Sequence, residues 1–184
     1  MTLPTHGSSA NDFDFFIGSW RVAHRRLKQR LAGCSQWTEF AGTTVVHKVL
    51  GGLGNIDDNT LDLPGDAYRA VTLRSFNSAT GQWSIWWLDG RDPGQLDTPV
   101  VGHFDAGVGV FHANDTLDGK PIRVRFLWTL PQPDQPRWEQ AFSNDAGATW
   151  ETNWSMDFTR VPDDARLGST ACSAPAPPAA QAGR

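Results

Sequence analysis

From residue 18 onward, apolar and polar side chains alternate with a period of two, and no segment carries a convincing 3.6-residue apolar repeat. The clearest case is 121–130, where Ile122, Val124, Phe126 and Trp128 fall on one face and Arg123, Arg125, Leu127 and Thr129 on the other. The same reading predicts strands over 20–28, 36–50, 60–63, 68–76, 82–89, 99–104, 108–113, 121–130, 137–142 and 149–161. Turn-forming residues separate them, such as Pro64-Gly65 and the run NSATG over 77–81. Pro131, Pro133 and Pro136 end the eighth strand. Ahead of the strands, NDFDFFI over 11–17 predicts one helical turn, with Asn11 or Asp12 as cap and Phe13, Phe16 and Ile17 on its apolar side. So short a helix needs a packing partner, and the end of a barrel provides one. About ten strands in near-meander order predict an all-β antiparallel barrel with an N-terminal helical plug, because closure removes exposed edges. A two-sheet sandwich is the competing architecture. A barrel of this strand number has room inside for a small ligand.

Composition narrows this picture. A chain of 184 residues with 39% hydrophobic and 20% charged residues supports one core and is too apolar to be wholly disordered. The expected organisation is a flexible start over 1–10, a barrel domain over 11–161, and a Pro/Ala-rich disordered tail over 162–184. Nine Trp and ten Phe against one Tyr give the core its character. Each buried large ring removes roughly 150–250 Å² from water, so a few of them either fill the barrel or line a cavity in it.

A net charge of −4 offers no basic field for phosphates, which excludes nucleic acid as a partner. The one basic run, Arg21, Arg25, Arg26, Lys28 and Arg30, reads first as a solvated strand face and hairpin tip, and second as an anion site. Cys34 stands alone in the domain and Cys172 falls in the tail, so neither a disulfide nor a metal site is expected. The first residues lack a basic and apolar leader pattern, and no apolar run reaches membrane-spanning length. The expectation is a reduced, cytoplasmic protein with no membrane partner; nothing in the sequence supports a homodimer.

Residues 143–150 (SNDAGATW) match S-x-D-x-G-x-T-W, and this resembles the Asp-box of sialidases. Its physics is that of a tight hairpin, in which Asp accepts turn N–H bonds, Gly takes positive φ and Trp packs beneath. In sialidases the box recurs on propeller blades away from catalysis; a single copy here reads as a structural turn. Gly18-Ser19-Trp20, with Arg160 near the end of the last strand, resembles the lipocalin and fatty-acid-binding superfamily. The resemblance implies a Trp20 that closes the barrel floor beneath the Arg160 guanidinium. Longer segments, DFDFFIGSW at 12–20, LGGLGN at 50–55, WSIWWLD at 83–89 and residues 142–154, are similar to an uncharacterised bacterial family of lipocalin-like, calycin-type proteins over roughly 11–161. That family carries over a lipocalin-like barrel and no activity. Haem-binding nitrobindins share this kind of barrel, with iron held by a late His. Here no His follows His112, so haem has no matching ligand and no cofactor is expected.

No nucleophile elbow or P-loop is present. Asp57 and Asp58 read as turn-capping residues, and the Gly-rich stretch 51–59 and the loop 90–98 read as guards of the open end. The expected function is binding of a small apolar or aromatic molecule in the barrel interior. Trp37, Trp87, Arg125, His24, Glu39 and His103 are the candidate contacts. The alternative is an isomerase, cyclase or lyase in which His24, Glu39 or His103 moves a proton. A third reading, an interaction module with an exposed Trp face, predicts a large apolar surface patch.

Overall fold

The computed structural model describes residues 8–162; the expected disordered tail with Cys172, and most of the flexible start, lie outside the described residues. Ten strands follow one another: β1 (Gly18–Leu27), β2 (Trp37–Val49), β3 (Gly54–Leu61), β4 (Tyr68–Asn77), β5 (Gln82–Asp89), β6 (Val100–Asp105), β7 (Val108–Leu117), β8 (Lys120–Gln132), β9 (Gln135–Ser143) and β10 (Glu151–Arg160). Each pairs antiparallel with its neighbours in sequence, and β10 returns to β1 to close the barrel. The sandwich is thereby excluded. The period-two alternation has its expected cause: Ile122, Val124 and Trp128 on β8 are buried, as are Trp83 and Ile85 on β5.

One end is sealed by the aromatic segment ahead of β1. It forms a single 3-10 turn, Asp14–Phe16, led in by Asp12, whose carboxylate accepts from the Ser9 N–H at 2.7 Å. Phe13 and Phe16 are 1% exposed. Phe16 stacks on Trp20 at 5.5 Å between ring centres, and the Trp20 indole N–H donates to the Phe16 carbonyl at 2.8 Å. The Arg160 guanidinium lies 4.1 Å over the Trp20 ring and donates to the Ile17 and Phe15 carbonyls at 2.9 and 2.6 Å. Gly18 has φ +124°, and a Cβ there would sit 2.8 Å from Arg160 Nη1. The glycine of G-x-W is therefore the space through which the last strand's arginine reaches the plug.

Three local expectations are corrected. The strand expected over 60–63 starts earlier, at Gly54, so Asp57 and Asp58 are strand residues and not turn caps. Gly51, Gly52 and Gly54 lie at the plugged end, where the Phe76 N–H donates to the Leu53 carbonyl at 2.7 Å; of the two expected guards only the 90–98 loop reaches the opposite mouth. On β10 a bulge between Thr152 and Trp154 breaks the expected single apolar face. Trp154 stays inside, while Trp150 lies outside beneath the Arg125 guanidinium at 4.6 Å and beside His112. The turn ahead of it has the Asp-box chemistry. Asp145 accepts from the Thr149 hydroxyl, the Thr149 N–H and the Ser143 hydroxyl, and these bonds hold its carboxyl far below the usual carboxylate range.

Candidate functional site

Between plug and mouth the side chains stop short of filling the barrel and leave a cavity of about 290 Å³. This is at the small end of the roughly 300–1,000 Å³ typical of ligand pockets. Its walls are largely aromatic. Trp138 meets Phe126 edge-on at 4.8 Å and Trp154 at 5.6 Å, and Trp154 in turn meets Trp87 at 5.8 Å. Such T-shaped contacts fix ring orientation, so the wall is built from rings that brace one another.

The floor is polar. On β3 the residues facing inward are Asn55, Asp57 and Asn59, all buried, and opposite them on β4 stand Arg74 and Thr72. Arg74 Nη1 donates to Asp57 Oδ2 at 2.7 Å and to Asn55 Oδ1 at 2.9 Å. Asp57 Oδ1 accepts from Asn59 Nδ2 at 2.6 Å and from the Thr72 N–H at 2.9 Å. The two charged side chains are 5% and 1% exposed. Burial of two charges is tolerated only where they are paired and hydrogen-bonded, and here Asp57 satisfies both of its oxygens. Arg74 is satisfied in part: among the described residues its Nε finds no hydrogen-bond partner, nor does the indole N–H of Trp128. A buried donor left this way costs about 1–3 kcal/mol.

The mouth carries a second ring of charge. Arg26 lies 4.8 Å over Trp154 and Arg30 5.4 Å over Phe142, so two members of the basic run turn toward the cavity while Arg21, Arg25 and Lys28 stay on the solvated face. Burial, then the neighbouring Arg26, pushes the Arg30 guanidinium down to about 10, which leaves it charged at neutral pH. Asp89, Asp97 and Asp115 face these arginines across the opening. Hydrogen bonds from Arg91 hold the Asp89 carboxyl below its ordinary value. Among the described residues, no group of three or more His, Cys, Asp or Glu is placed to hold a metal.

No known family model matches the sequence, and no curated protein matches it. Among solved structures, the S-type phycobiliprotein lyase CPES from Guillardia theta superposes with a TM-score of 0.59 at 12% identity, over 85% of this chain and 94% of that one. The chain has a lipocalin-like fold. A protein of unknown function from the DUF3598 family of Nostoc punctiforme aligns with a TM-score of 0.49 at 13% identity, over 88% of this chain and 52% of that one. Among the described residues, no helix of this barrel is long and apolar enough to cross a membrane.

Of the six candidate contacts named from sequence, the structure brings only Trp87 to the cavity wall. Trp37 and Glu39 were expected inside and instead face out, Trp37 under the Arg25 guanidinium at 4.3 Å and Glu39 3.5 Å from the same side chain. Arg125 also faces out, on Trp150. His103 is exposed: Ala106 and Gly107, at φ 47° and 82°, make a two-residue turn that puts His103 and His112 on one face, the outer one. The residues that sequence reasoning missed are Asn55, Asp57, Asn59 and Arg74. Their signal was an N-x-D-x-N repeat of period two, an alternation with polar residues turned inward.

His24 is buried, as its parity with Trp20 and Val22 implied, but it stands behind the wall. Its Nδ1 accepts from Trp154 Nε1 at 3.3 Å and its ring stacks on Phe40 at 4.6 Å. Gly42 makes room for it, since a Cβ there would lie 2.6 Å from Nε2. Burial, then the charge of Arg26, lowers its pKa from 6.5 to about 4. The unfolded chain therefore binds this proton near pH 6.5 and the folded one only near pH 4, and stability falls as pH drops through that window. At its lower end the loss is on the order of 3 kcal/mol. Urea denaturation at pH 7 and pH 4.5 is expected to show a smaller acid-induced loss for His24→Phe than for the wild type. Equal losses would place the titration elsewhere.

Proposed function

We propose that this protein binds a small, flat, largely apolar molecule inside the barrel. The observation that carries this reading is the cavity of about 290 Å³ whose walls are braced indole and phenyl rings. Rings of this number could have packed the interior solid, as cores ordinarily do. Instead they border open space, with the charged groups at its two ends and Gln140 between the rings, which is the usual form of a small-molecule site. The lipocalin-like fold supports the architecture of the reading, as does the resemblance to uncharacterised bacterial lipocalin-like proteins, in which we place the chain. The enzyme alternative needs a proton carrier on the wall. Of the carriers named from sequence, His24 stands behind it and Glu39 and His103 face away. The carboxyls that do line the cavity are Asp57, committed to Arg74, and Asp89, Asp97 and Asp115 at the charged mouth rather than among the rings, so the observations favour binding.

The test uses N-phenyl-1-naphthylamine, a neutral fluorophore that brightens in dry surroundings. The wild-type protein is expected to bind it saturably, with quenching of tryptophan emission. Val124→Phe, which pushes a ring into the cavity from a buried wall position, is expected to weaken binding at least about tenfold while costing only about 1–3 kcal/mol of stability. Native mass spectrometry of protein from its own host checks the same claim, through a small-molecule adduct present in the wild type and missing from Val124→Phe. Absence of both signals in the wild type would overturn the reading.

A further inference from the structure

The floor of the cavity specifies the chemistry of what it meets; this step rests on the binding reading above. Two donors stand there without a hydrogen-bond partner among the described residues, Arg74 Nε and Trp128 Nε1. Both side chains belong to the cavity wall, and the Arg74 guanidinium carbon is 5.4 Å from the Trp128 ring centre. The two side chains are therefore neighbours, and one acceptor group seated between them would pair both donors. Arg74 is held for this task by its other edge: Nη1 is fixed by Asp57 and Asn55, and Phe13 and Phe16 lie 5.3 and 5.1 Å from the guanidinium carbon. The remaining orphaned atom, Thr44 Oγ1, is off the wall.

The acceptors beside Arg74 are already engaged, Asp57 by three donors and Asn55 Oδ1 by Arg74. A ligand group that meets Arg74 Nε and Trp128 Nε1 must accept from them. Charge then separates a carboxylate from a neutral acceptor. Arg74 is balanced by Asp57 2.7 Å away, and the whole wall holds three arginines against four aspartates. A second buried anion would share one cation with Asp57 in dry surroundings, which is strongly unfavourable. A neutral acceptor satisfies both donors without that cost.

We propose that the cavity floor recognises the carbonyl oxygen of an uncharged aromatic carbonyl compound, with Arg74 Nε and Trp128 Nε1 as its donors. Three probes of nearly one shape separate the terms: 2-acetylnaphthalene, 2-isopropylnaphthalene and 2-naphthoate, measured by titration calorimetry at neutral pH. The ketone is expected to bind on the order of tenfold or more tighter than its apolar isostere, and the carboxylate weakest. Trp128→Phe keeps the ring and loses the donor; Arg74→Lys keeps the charge and loses Nε. Each is expected to reduce the ratio of ketone to 2-isopropylnaphthalene affinity several-fold relative to wild type, whatever it does to the affinity for both. If either variant fails to fold, the infrared carbonyl band of 2-acetylnaphthalene bound to wild-type protein decides, with a shift below its position in hexane expected. Equal binding of ketone and isostere, tightest binding of the carboxylate, or an unshifted carbonyl band overturns this proposal. If N-phenyl-1-naphthylamine still binds, that failure is confined to it; if neither that fluorophore nor any of the three probes binds, the cavity reading falls as well.

Discussion

Asp57→Ala is expected to lower the unfolding free energy by about 3–5 kcal/mol, the range seen when one partner of a buried ion pair is removed. The substitution strands the Arg74 guanidinium at 5% exposure, and it also takes the acceptor from Asn59 Nδ2 and from the Thr72 N–H. The rings of Phe13, Phe16 and Trp128 around the guanidinium carbon return part of this through cation–π attraction, but they do not replace a hydrogen-bonded carboxylate. Against the 5–15 kcal/mol of an ordinary domain this is a large fraction, and a Tm lower by roughly 10 °C or more should accompany it. Urea denaturation of Asp57→Ala and of the double variant Asp57→Ala/Arg74→Met checks the cause. The double variant carries no stranded charge and is expected to be the more stable of the two. A single variant within about 0.5 kcal/mol of wild type, the range of ordinary surface substitutions, would show that the pair is not buried.

The other large effect belongs to the plug. Trp20→Ala is expected to cost about 3–5 kcal/mol, as removal of a buried large ring does. Trp20 is 1% exposed. Its loss opens a void under Phe16, leaves the Phe16 carbonyl without its 2.8 Å donor, and takes away the ring beneath Arg160. Trp37→Ala serves as the contrast: that indole is outside, half-buried under Arg25, and its removal should cost about 1 kcal/mol or less. Comparable losses for the two indoles, measured side by side in urea, would contradict the division into floor and outer face described above.

Those two residues also mark where sequence reasoning succeeds and where it stops. Strands such as β5 and β8 alternate apolar with polar side chains, so their faces, and the barrel with them, were legible. So was the plug, because Gly18, Trp20 and Arg160 form a recognisable set. β3 was not legible. It turns Asn55, Asp57 and Asn59 inward, against the apolar-in rule, and its partner Arg74 lies on the next strand at a register no local pattern fixes. On β2 parity correctly grouped Trp37 with Glu39 and set Phe40 opposite, but both faces are mixed. The inward face includes Gly42 and Thr44, and the outward one keeps an indole because Arg25 covers it. On β10 the bulge at Thr152 and Trp154 shifts parity midway, which left Trp150 on the wrong side.

The single pairing that is not between sequence neighbours, β1 with β10, has a consequence for how the chain is made. Until β10 is in place the other nine strands cannot close a barrel, and the free borders of β1 and β9 leave N–H and C=O groups unpaired. The interval before the seam zips is the moment at which two nascent copies can join edge to edge. Arg160, last in β10 and bonded to Phe15 and Ile17 ahead of and beside the first strand, is the clasp that ends it.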